Sequence, residues 1–167
     1  RIPILTEKEK ENPINLTKLC LVPDWGILVG TDRAGLKFYD RHNRKTETVI
    51  PDIQVRDIKQ CSENTYWIAS ESGVYILNMA DRSITHLQKS LTNEYTISDN
   101  AAYSITKDRE GGIWVTTFFG GINYLPKEYV PFKYFIGGKT HPGMPGNAVR
   151  EICPDRYGNL WLGTEDN

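Results

Sequence analysis

Four segments of the chain repeat one pattern, and this repeat constrains the fold more than any other feature of the sequence. Each segment runs without gaps from an aliphatic residue to a threonine or serine: LCLVPDWGILVGT (19–31), IKQCSENTYWIAS (58–70), ITKDREGGIWVTT (105–117) and ICPDRYGNLWLGT (152–164). The tenth column holds Leu28, Trp67, Trp114 and Trp161, at successive intervals of 39, 47 and 47 residues. A period of about 40 to 50 residues is typical of the four-stranded blades of β-propellers.

The residues around the repeat predict strands and turns. Each segment begins with a short strand, turns through Asp, Gly or Asn, and enters a strand rich in β-branched and aromatic residues. A glycine-containing turn leads to a third strand (LKFYD, VYILN, INYLP) and then to a fourth (TETVI, ITHLQ, FKYFI). No stretch has a long helical period. We therefore predict an all-β chain, a partial β-propeller with about three and a half four-stranded antiparallel blades.

The repeat also divides the chain. Blades are predicted at residues 14–50, 53–88 and 100–136, with an incomplete blade at 147–167. Residues 1–13 are then either an N-terminal arm or the end of a preceding blade. Because an incomplete blade has an open edge and a partial stack of blades has uncovered sides, we expect these residues to associate or to belong to a longer polypeptide.

Composition and motifs argue against several classes of protein. The net charge is −1 at pH 7, so no basic excess indicates nucleic acid as a partner. No apolar run reaches the ~18 residues that a membrane-spanning helix needs. The three histidines share no register, so we predict no metal site, no cofactor and no catalytic residues. The three cysteines lack the CxxC spacing of a zinc or redox site and are predicted to be buried thiols.

The tryptophans and aspartates of the repeat have structural interpretations. Trp67, Trp114 and Trp161 are predicted to pack between adjacent blades as core residues, because a large aromatic at one register is what neighbouring blades bury. Asp108 and Asp155 are predicted to cap turns, because the D-x-[DN]-x-[DN]-G pattern of a calcium loop is absent.

A candidate ligand site follows from blade topology. In an up-and-down blade, the start of strand one and the turn between strands two and three reach the same face of the propeller. Two residues before the aliphatic column stand Thr17, Arg56, Tyr103 and Arg150. Arginine offers forked donors and tyrosine a flat ring with a polar tip, a combination that suits a sugar, and an anionic sugar would suit two arginines better still. The alternative is that Arg56 pairs locally with Asp57 or Glu151, and that Tyr103 only lines the channel.

Two lengthened loops and an aromatic turn belong to the same face. The loops are residues 89–100 and 137–147, and loops that vary on a rigid scaffold often carry binding residues. Phe118 and Phe119 occupy a turn, where polar residues are usual, so they either pack under the 137–147 loop or face a ligand or partner. The predicted ligand-binding residues are Arg56, Tyr103, Arg150, Phe118 and Phe119.

The best copies of the repeat resemble a known family. SITKDREGGIWVTTFFGGINYL and VREICPDRYGNLWLGT are similar to two-component regulator propeller repeats, whose pattern is roughly I-x-x-D-x-x-G-x-[LI]-W-[IVL]-G-T-x-x-G-G-[LI]. The first two copies depart from it, since Leu28 stands for the tryptophan and SENT replaces the Asp-x-x-Gly turn. In the third copy, Thr116 replaces the usual glycine. The resemblance covers nearly all of residues 14–167.

This resemblance implies a function and a location. The family supplies the periplasmic sensor region of hybrid two-component regulators of gut bacteria, where such repeats build one or two seven-bladed propellers ahead of a β-sandwich, a membrane helix and a histidine kinase. Many of these sensors respond to oligosaccharides. This chain holds no kinase and no membrane helix, so membrane attachment and signalling would reside in other parts of the protein.

Three functions remain open from the sequence. The leading hypothesis is a non-catalytic, ligand-sensing propeller segment that detects an oligosaccharide. The second is a scaffold for protein–protein contact without a small-molecule site, either with the remaining blades or with a second copy as a homodimer. The third is a propeller lyase or hydrolase.

Overall fold

The computed structural model describes residues 4–6, 9, 11, 13–90, 96–127 and 148–165. The chain divides into two compact units, residues 1–128 and residues 129–167. Thirteen β-strands lie within the described residues. Within this described part, no helix is long and apolar enough to cross a membrane.

Two complete antiparallel sheets form most of the first unit. The first sheet consists, in spatial order, of β1 (Leu16–Val22), β2 (Gly26–Thr31), β3 (Leu36–Asp40) and β4 (Lys45–Ile50). The second consists of β5 (Val55–Gln60), β6 (Thr65–Ser70), β7 (Gly73–Asn78) and β8 (Ile84–Leu87). Because each strand pairs with the next one along the chain, both sheets are up-and-down meanders, as in a propeller blade.

The remaining repeats form a third sheet and a hairpin. The third sheet contains β9 (Ala102–Lys107), β10 (Ile113–Thr117) and β11 (Ile122–Leu125), with β10 in the middle. In the second unit, β12 (Val149–Pro154) and β13 (Leu160–Thr164) pair as an antiparallel hairpin. We call the three sheets blades 1 to 3 and the hairpin blade 4. The predicted fourth strand of blade 3, residues 132–136, lies outside the described residues.

The central strand β6 illustrates how adjacent blades pack. Tyr66 and Ile68 are fully buried in an apolar cluster that includes Phe38 of blade 1. Trp67, which lies between them in sequence, packs in a second cluster with Ile105 of blade 3. Successive side chains of a strand point to opposite faces, so a strand between two blades is apolar on both. At ~25 cal/mol per Å² of apolar surface removed from water, these inter-blade clusters are the main stabilising contribution.

The predicted core role of the repeat tryptophans is confirmed for one of the three. Trp67 is 7% exposed, whereas Trp114 is 40% and Trp161 is 67% exposed. Trp67 is covered because blade 3 lies against it, while Trp114 occupies the far face of blade 3 and contacts Tyr124 of its own sheet, with ring centroids 4.3 Å apart. Trp114 and Trp161 are exposed, which contradicts the prediction for these two residues.

The turn aspartates act as predicted and also hold these exposed indoles. The Asp108 carboxylate accepts the backbone N–H of Gly112 at 2.7 Å and the indole N–H of Trp114 at 2.9 Å. Asp155 likewise accepts the Trp161 indole N–H at 3.1 Å. Hydrogen bonds from the side chain and backbone of Asn159, followed by that of the indole, lower the pKa of Asp155 to about 2.

The cysteine prediction is only partly right. All three thiols are free. Cys20 and Cys61 are half-buried, and burial raises the pKa of the Cys61 thiol to about 11. Cys153 is exposed, which contradicts the predicted burial. It lies on the hairpin of blade 4, where Ile152 and Leu160 are also exposed.

One buried carboxylate joins three blades. Asp57 of blade 2, which is 8% exposed, binds the ammonium of Lys18 in blade 1 at 2.7 Å. It also accepts the backbone N–H of Ile105 in blade 3 at 2.9 Å and the hydroxyl of Ser104 at 3.2 Å. Burial opposes its ionisation, but the hydrogen bonds from Lys18 and Ile105 outweigh that effect and hold the pKa of Asp57 below its usual range.

The structure thus confirms the predicted fold class, an all-β partial propeller built from four-stranded antiparallel blades. The residue limits proposed for the blades stay predictions, as do the seven blades that the family resemblance implies for the complete propeller.

Candidate functional site

The first strand of every blade carries an irregularity at the same place. In blade 2, Val55 pairs with Ser70 and Asp57 with Ala69, so Arg56 is left without a partner across the sheet. The same shift in register occurs in the other three blades. The unpaired residues are Thr17, Arg56, Tyr103 and Arg150. They are the four residues that the sequence places in one column two positions before the aliphatic residue.

A β-bulge changes the direction of the side chains in this column. The extra residue leaves the ladder and the strand bends, so the side chain is aimed differently from those of a regular strand. Bulges are frequent beside binding sites for this reason. In this chain they release one side chain per blade from sheet packing.

Each bulge residue has a counterpart fifteen residues later, directly after the threonine or serine that ends each copy of the repeat. In blade 2, the guanidinium of Arg56 donates from Nε to the Glu71 carboxylate at 2.7 Å and from Nη2 to the same oxygen. In blade 4, Arg150 donates to Glu165 at 2.5 Å, again across fifteen residues. In blade 3 the same two positions hold Tyr103 and Phe118, whose rings stack with centroids 5.6 Å apart.

Blade 1 departs from this pairing. The equivalent of Glu71 is Asp32, whose carboxylate accepts the backbone N–H of Asn15 at 2.9 Å and its side-chain amide at 2.8 Å. Those hydrogen bonds lower the pKa of Asp32. In blade 1 the counterpart position therefore anchors the start of the first strand.

Three aromatic side chains, Tyr103, Phe118 and Phe119, form a continuous surface that we call the aromatic ledge. Phe118 and Phe119 meet edge to face, with centroids 4.4 Å apart, and are 59% and 85% exposed. Backbone hydrogen bonds hold their turn, since the N–H of Phe118 donates to the Ala101 carbonyl at 2.9 Å and that of Phe119 to the Asp99 carboxylate at 3.0 Å. The ledge is therefore exposed but supported.

The ledge continues into blade 2. The guanidinium carbon of Arg56 lies 4.6 Å from the centroid of the Tyr103 ring, within the range of a cation–π contact. The side chains of Arg56 and Glu71 are 31% and 38% exposed. A half-buried ion pair thus adjoins an exposed apolar surface, which is an arrangement able to bind a ligand with both polar groups and C–H faces.

The structure brings together four of the five predicted site residues. Arg56, Tyr103, Phe118 and Phe119 form one chain of contacts in the first unit. Arg150 belongs to the second unit, where it binds Glu165. The alternative pairing of Arg56 with Asp57 is wrong, because Arg56 binds Glu71 while Asp57 binds Lys18.

Two predicted elements of this face fall partly or wholly outside the described residues. Of the loop 89–100, the structure describes residues 89–90 and 96–100, and the loop 137–147 is not among the described residues. The proposed packing of the two phenylalanines under that second loop therefore stays a prediction.

Sequence reasoning missed Glu71 and Glu165. The available signal was the constant spacing of fifteen residues from the bulge column, which places an acid opposite each arginine and an aromatic opposite Tyr103. The position after the threonine or serine has the sequence character of a turn, which does not by itself indicate that Glu71 binds an arginine.

A cavity of about 340 Å³ lies elsewhere, beside the outer strands of blade 1. Its lining includes the basic residues Lys37, Arg44 and Lys45 together with Glu47. Lys37 is 2% exposed, and its ammonium binds the Glu9 carboxylate and the Thr48 hydroxyl. We attach the candidate site to the ledge, because the buried ammonium of the cavity, that of Lys37, is already paired.

Groups suited to metal or acid–base chemistry do not converge among the residues that the structure describes. No three His, Cys, Asp or Glu side chains gather there in a metal-binding group. His42 contacts the Asp24 carbonyl at 2.7 Å, and His86 contacts the Ser72 carbonyl at 2.9 Å while stacking on Tyr75.

These observations define the class of the protein as a β-propeller segment with a recurring bulge at the start of each blade. Comparison with known proteins adds a family model that matches part of the chain. Residues 96–119 and 143–166 match the family model of the two-component regulator propeller. The resemblance predicted from the sequence is thereby confirmed for the third and fourth copies of the repeat. A search of curated protein sequences finds no match.

Solved structures share the fold over nearly the whole chain. The extracellular domain of BT4673 from B. thetaiotaomicron, described as a one-component system, superposes with a TM-score of 0.65 over 98% of this chain at 15% identity. A second structure of that extracellular domain, described as part of a hybrid two-component system, gives a TM-score of 0.63 over 97% of this chain at 17% identity. This chain spans only 28% and 21% of those two chains.

Proposed function

We propose that this chain is a ligand-sensing propeller segment of an extracytoplasmic sensor of the hybrid two-component type, and that it binds an oligosaccharide at the aromatic ledge. The observation that carries the proposal is the unbroken series from the Arg56 guanidinium over Tyr103 to Phe118 and Phe119. Family resemblance supports the sensor role, and the extracellular domains that share the fold support a periplasmic location.

The chemistry of the ledge fits a sugar. A pyranose ring offers C–H groups on its faces, which pack on aromatic rings, and hydroxyl groups at its edge, which bond to charged donors and acceptors. The exposed phenylalanines supply the first kind of contact, and the Arg56–Glu71 pair supplies the second. No reaction is needed for sensing, so we assign no catalytic role to these residues, and the histidine kinase is proposed to lie elsewhere in the full-length protein.

Calorimetry of the full-length protein with a panel of plant and host oligosaccharides tests this proposal. Phe118→Ala should weaken binding about tenfold, equivalent to ~1.4 kcal/mol, because a stacking surface is lost. Trp25→Ala is the matched control, since Trp25 is also exposed (51%) but lies in the turn at the opposite end of a blade. If no oligosaccharide binds, or if both variants weaken binding equally, the proposal fails.

Arg150 stays a separate prediction. Arg150→Ala should weaken oligosaccharide binding by ~1.5–3 kcal/mol, the usual worth of a charged hydrogen bond, while leaving the melting temperature nearly unchanged. Early melting with unchanged affinity would assign Arg150 a structural role.

A protein–protein scaffold is the second candidate. It is favoured by exposed apolar side chains on the outer faces of blades 1 and 3, among them Leu19 (62%), Leu21 (68%) and Ile122 (67%). Such surfaces are normally covered by another blade or another molecule. Concentration-dependent association by light scattering, without any sugar binding, would support this function instead.

A further inference from the structure

The charges at the ledge are balanced, which changes the expected ligand. Arginines at the bulge column alone would favour an anionic sugar. In the structure, however, two N–H groups of Arg56 donate to one oxygen of Glu71. The pair carries no net charge. Three further guanidinium N–H groups and the second carboxylate oxygen remain chemically available to hydroxyl groups of a ligand.

A second carboxylate, that of Asp99, lies at the ledge. Asp99 holds the turn of the ledge through the Phe119 N–H at 3.0 Å. The ammonium of Lys18, on the first strand of blade 1, is committed to Asp57 at 2.7 Å, and Lys89 adjoins the Asp99 segment through its backbone N–H, which donates to Asn100 at 2.7 Å. A carboxylate or sulfate group on a sugar seated on Phe118 would therefore approach two carboxylates and one cation that is already paired.

The same pairing of a bulge arginine with a glutamate occurs in the second unit. Arg150 is also a bulge residue, and it also binds a glutamate fifteen residues later, Glu165. Two arginines at this column are thus each matched by an acid at the same counterpart position. Blade 3 replaces the pair with two stacked rings, which are uncharged.

We infer that Glu71 is a specificity-determining residue that makes the site select uncharged oligosaccharides and reject those bearing uronic acid or sulfate groups. The inference rests on the proposed function, because it names the class of sugar that the same ledge binds. Glu71 acts in two ways: it neutralises Arg56 and it repels an anionic ligand directly. Its remaining oxygen is an acceptor for hydroxyl groups, which a neutral sugar supplies in pairs.

The test compares neutral hexose oligosaccharides with uronic acid oligosaccharides of equal length, by calorimetry on the full-length protein. The wild type should bind the neutral series at least about tenfold more tightly, the factor expected for one uncompensated charge near a protein surface. Glu71→Gln should strengthen binding of the uronic acid series about tenfold, because Arg56 is then free to pair with the ligand carboxylate. Glu110→Gln, which removes one exposed negative charge from the turn between β9 and β10, is the matched control and should change neither affinity.

A second measurement needs no variant. Repulsion between exposed charges is screened by salt, so the preference of the wild type for the neutral series should shrink as the ionic strength rises. If Glu71→Gln fails to fold, this salt dependence of the wild type still tests whether charge repulsion sets the preference for neutral sugars.

The outcomes separate this inference from the proposed function. Tighter binding of the uronic acid series by the wild type, or an unchanged preference in Glu71→Gln, overturns the inference while the sugar-binding function stands. An absence of binding to either series overturns both.

Discussion

Replacing Asp57 with alanine tests whether one buried carboxylate couples three blades. The substitution leaves the backbone N–H of Ile105 without its acceptor, and Ile105 is 2% exposed. A buried donor without a partner costs ~1–3 kcal/mol. The lost ion pair adds only ~0–1 kcal/mol, because the Lys18 side chain is 44% exposed and its charge is largely screened by water. We therefore expect Asp57→Ala to lower the free energy of unfolding by about 3 kcal/mol, with the buried amide dominating.

Urea unfolding of the 167-residue chain, followed by tryptophan fluorescence, measures this change. With a slope of ~2 kcal/mol per molar urea, the midpoint should fall by about 1.5 M. Lys18→Ala is the comparison variant and should cost less than Asp57→Ala, because the Asp57 carboxylate keeps its hydrogen bonds from Ile105 and Ser104. If Lys18→Ala destabilises the chain as much as Asp57→Ala, then the ion pair rather than the amide bond is the link, and the reasoning is refuted.

The pH dependence provides an independent check. The pKa of Asp57 is lower in the folded chain than the ~3.9 of an unfolded one. A carboxylate of this kind contributes stability that is fully present above its unfolded pKa and is lost as the pH falls through its folded pKa. The difference in stability between wild type and Asp57→Ala should therefore be constant from pH 7 to about pH 5 and shrink below about pH 4.

Other predictions concern packing and titration. Trp67→Ala should cost ~3–5 kcal/mol of unfolding free energy and Trp114→Ala only ~1, because the second side chain is already 40% exposed; equal urea midpoints would contradict this. Gly30→Ala should destabilise the chain by ~1–3 kcal/mol, since its Cβ would lie 2.5 Å from a valine methyl of blade 2, whereas Gly163→Ala, with its nearest contact at 3.7 Å, should be neutral in the same assay. NMR titration should place the pKa of Asp155 at about 2, and a midpoint near the ordinary ~3.9 would mean that its turn hydrogen bonds do not form.

Much of the fold and part of the site were predictable because the same strand–turn–strand pattern recurs several times in the sequence. A strand, an Asp- or Gly-bearing turn and a second strand recur at one register, so the pairing of β9 with β10 and of β12 with β13 follows from local sequence. The column of Arg56 and Tyr103 was also visible, since repeat symmetry places equivalent residues at equivalent positions of neighbouring blades. Local turn chemistry likewise predicted the role of Asp108.

The repeat did not determine which side chains are buried or which acid pairs with Arg56, because both depend on contacts between distant parts of the chain. Trp67 and Trp114 occupy the same column, yet one is buried and the other exposed, and Trp67 is buried because residues of blade 3, distant in sequence, pack against it. The partner of Arg56 was likewise decided by tertiary structure. The adjacent Asp57 was the nearer acid in sequence, but the bulge turns Arg56 toward Glu71, while the regular pleat points Asp57 toward Lys18 and blade 3. Sequence alone therefore determined the strands and turns, which are local, and the tertiary structure decided burial and charge pairing, which require groups distant in sequence to come together.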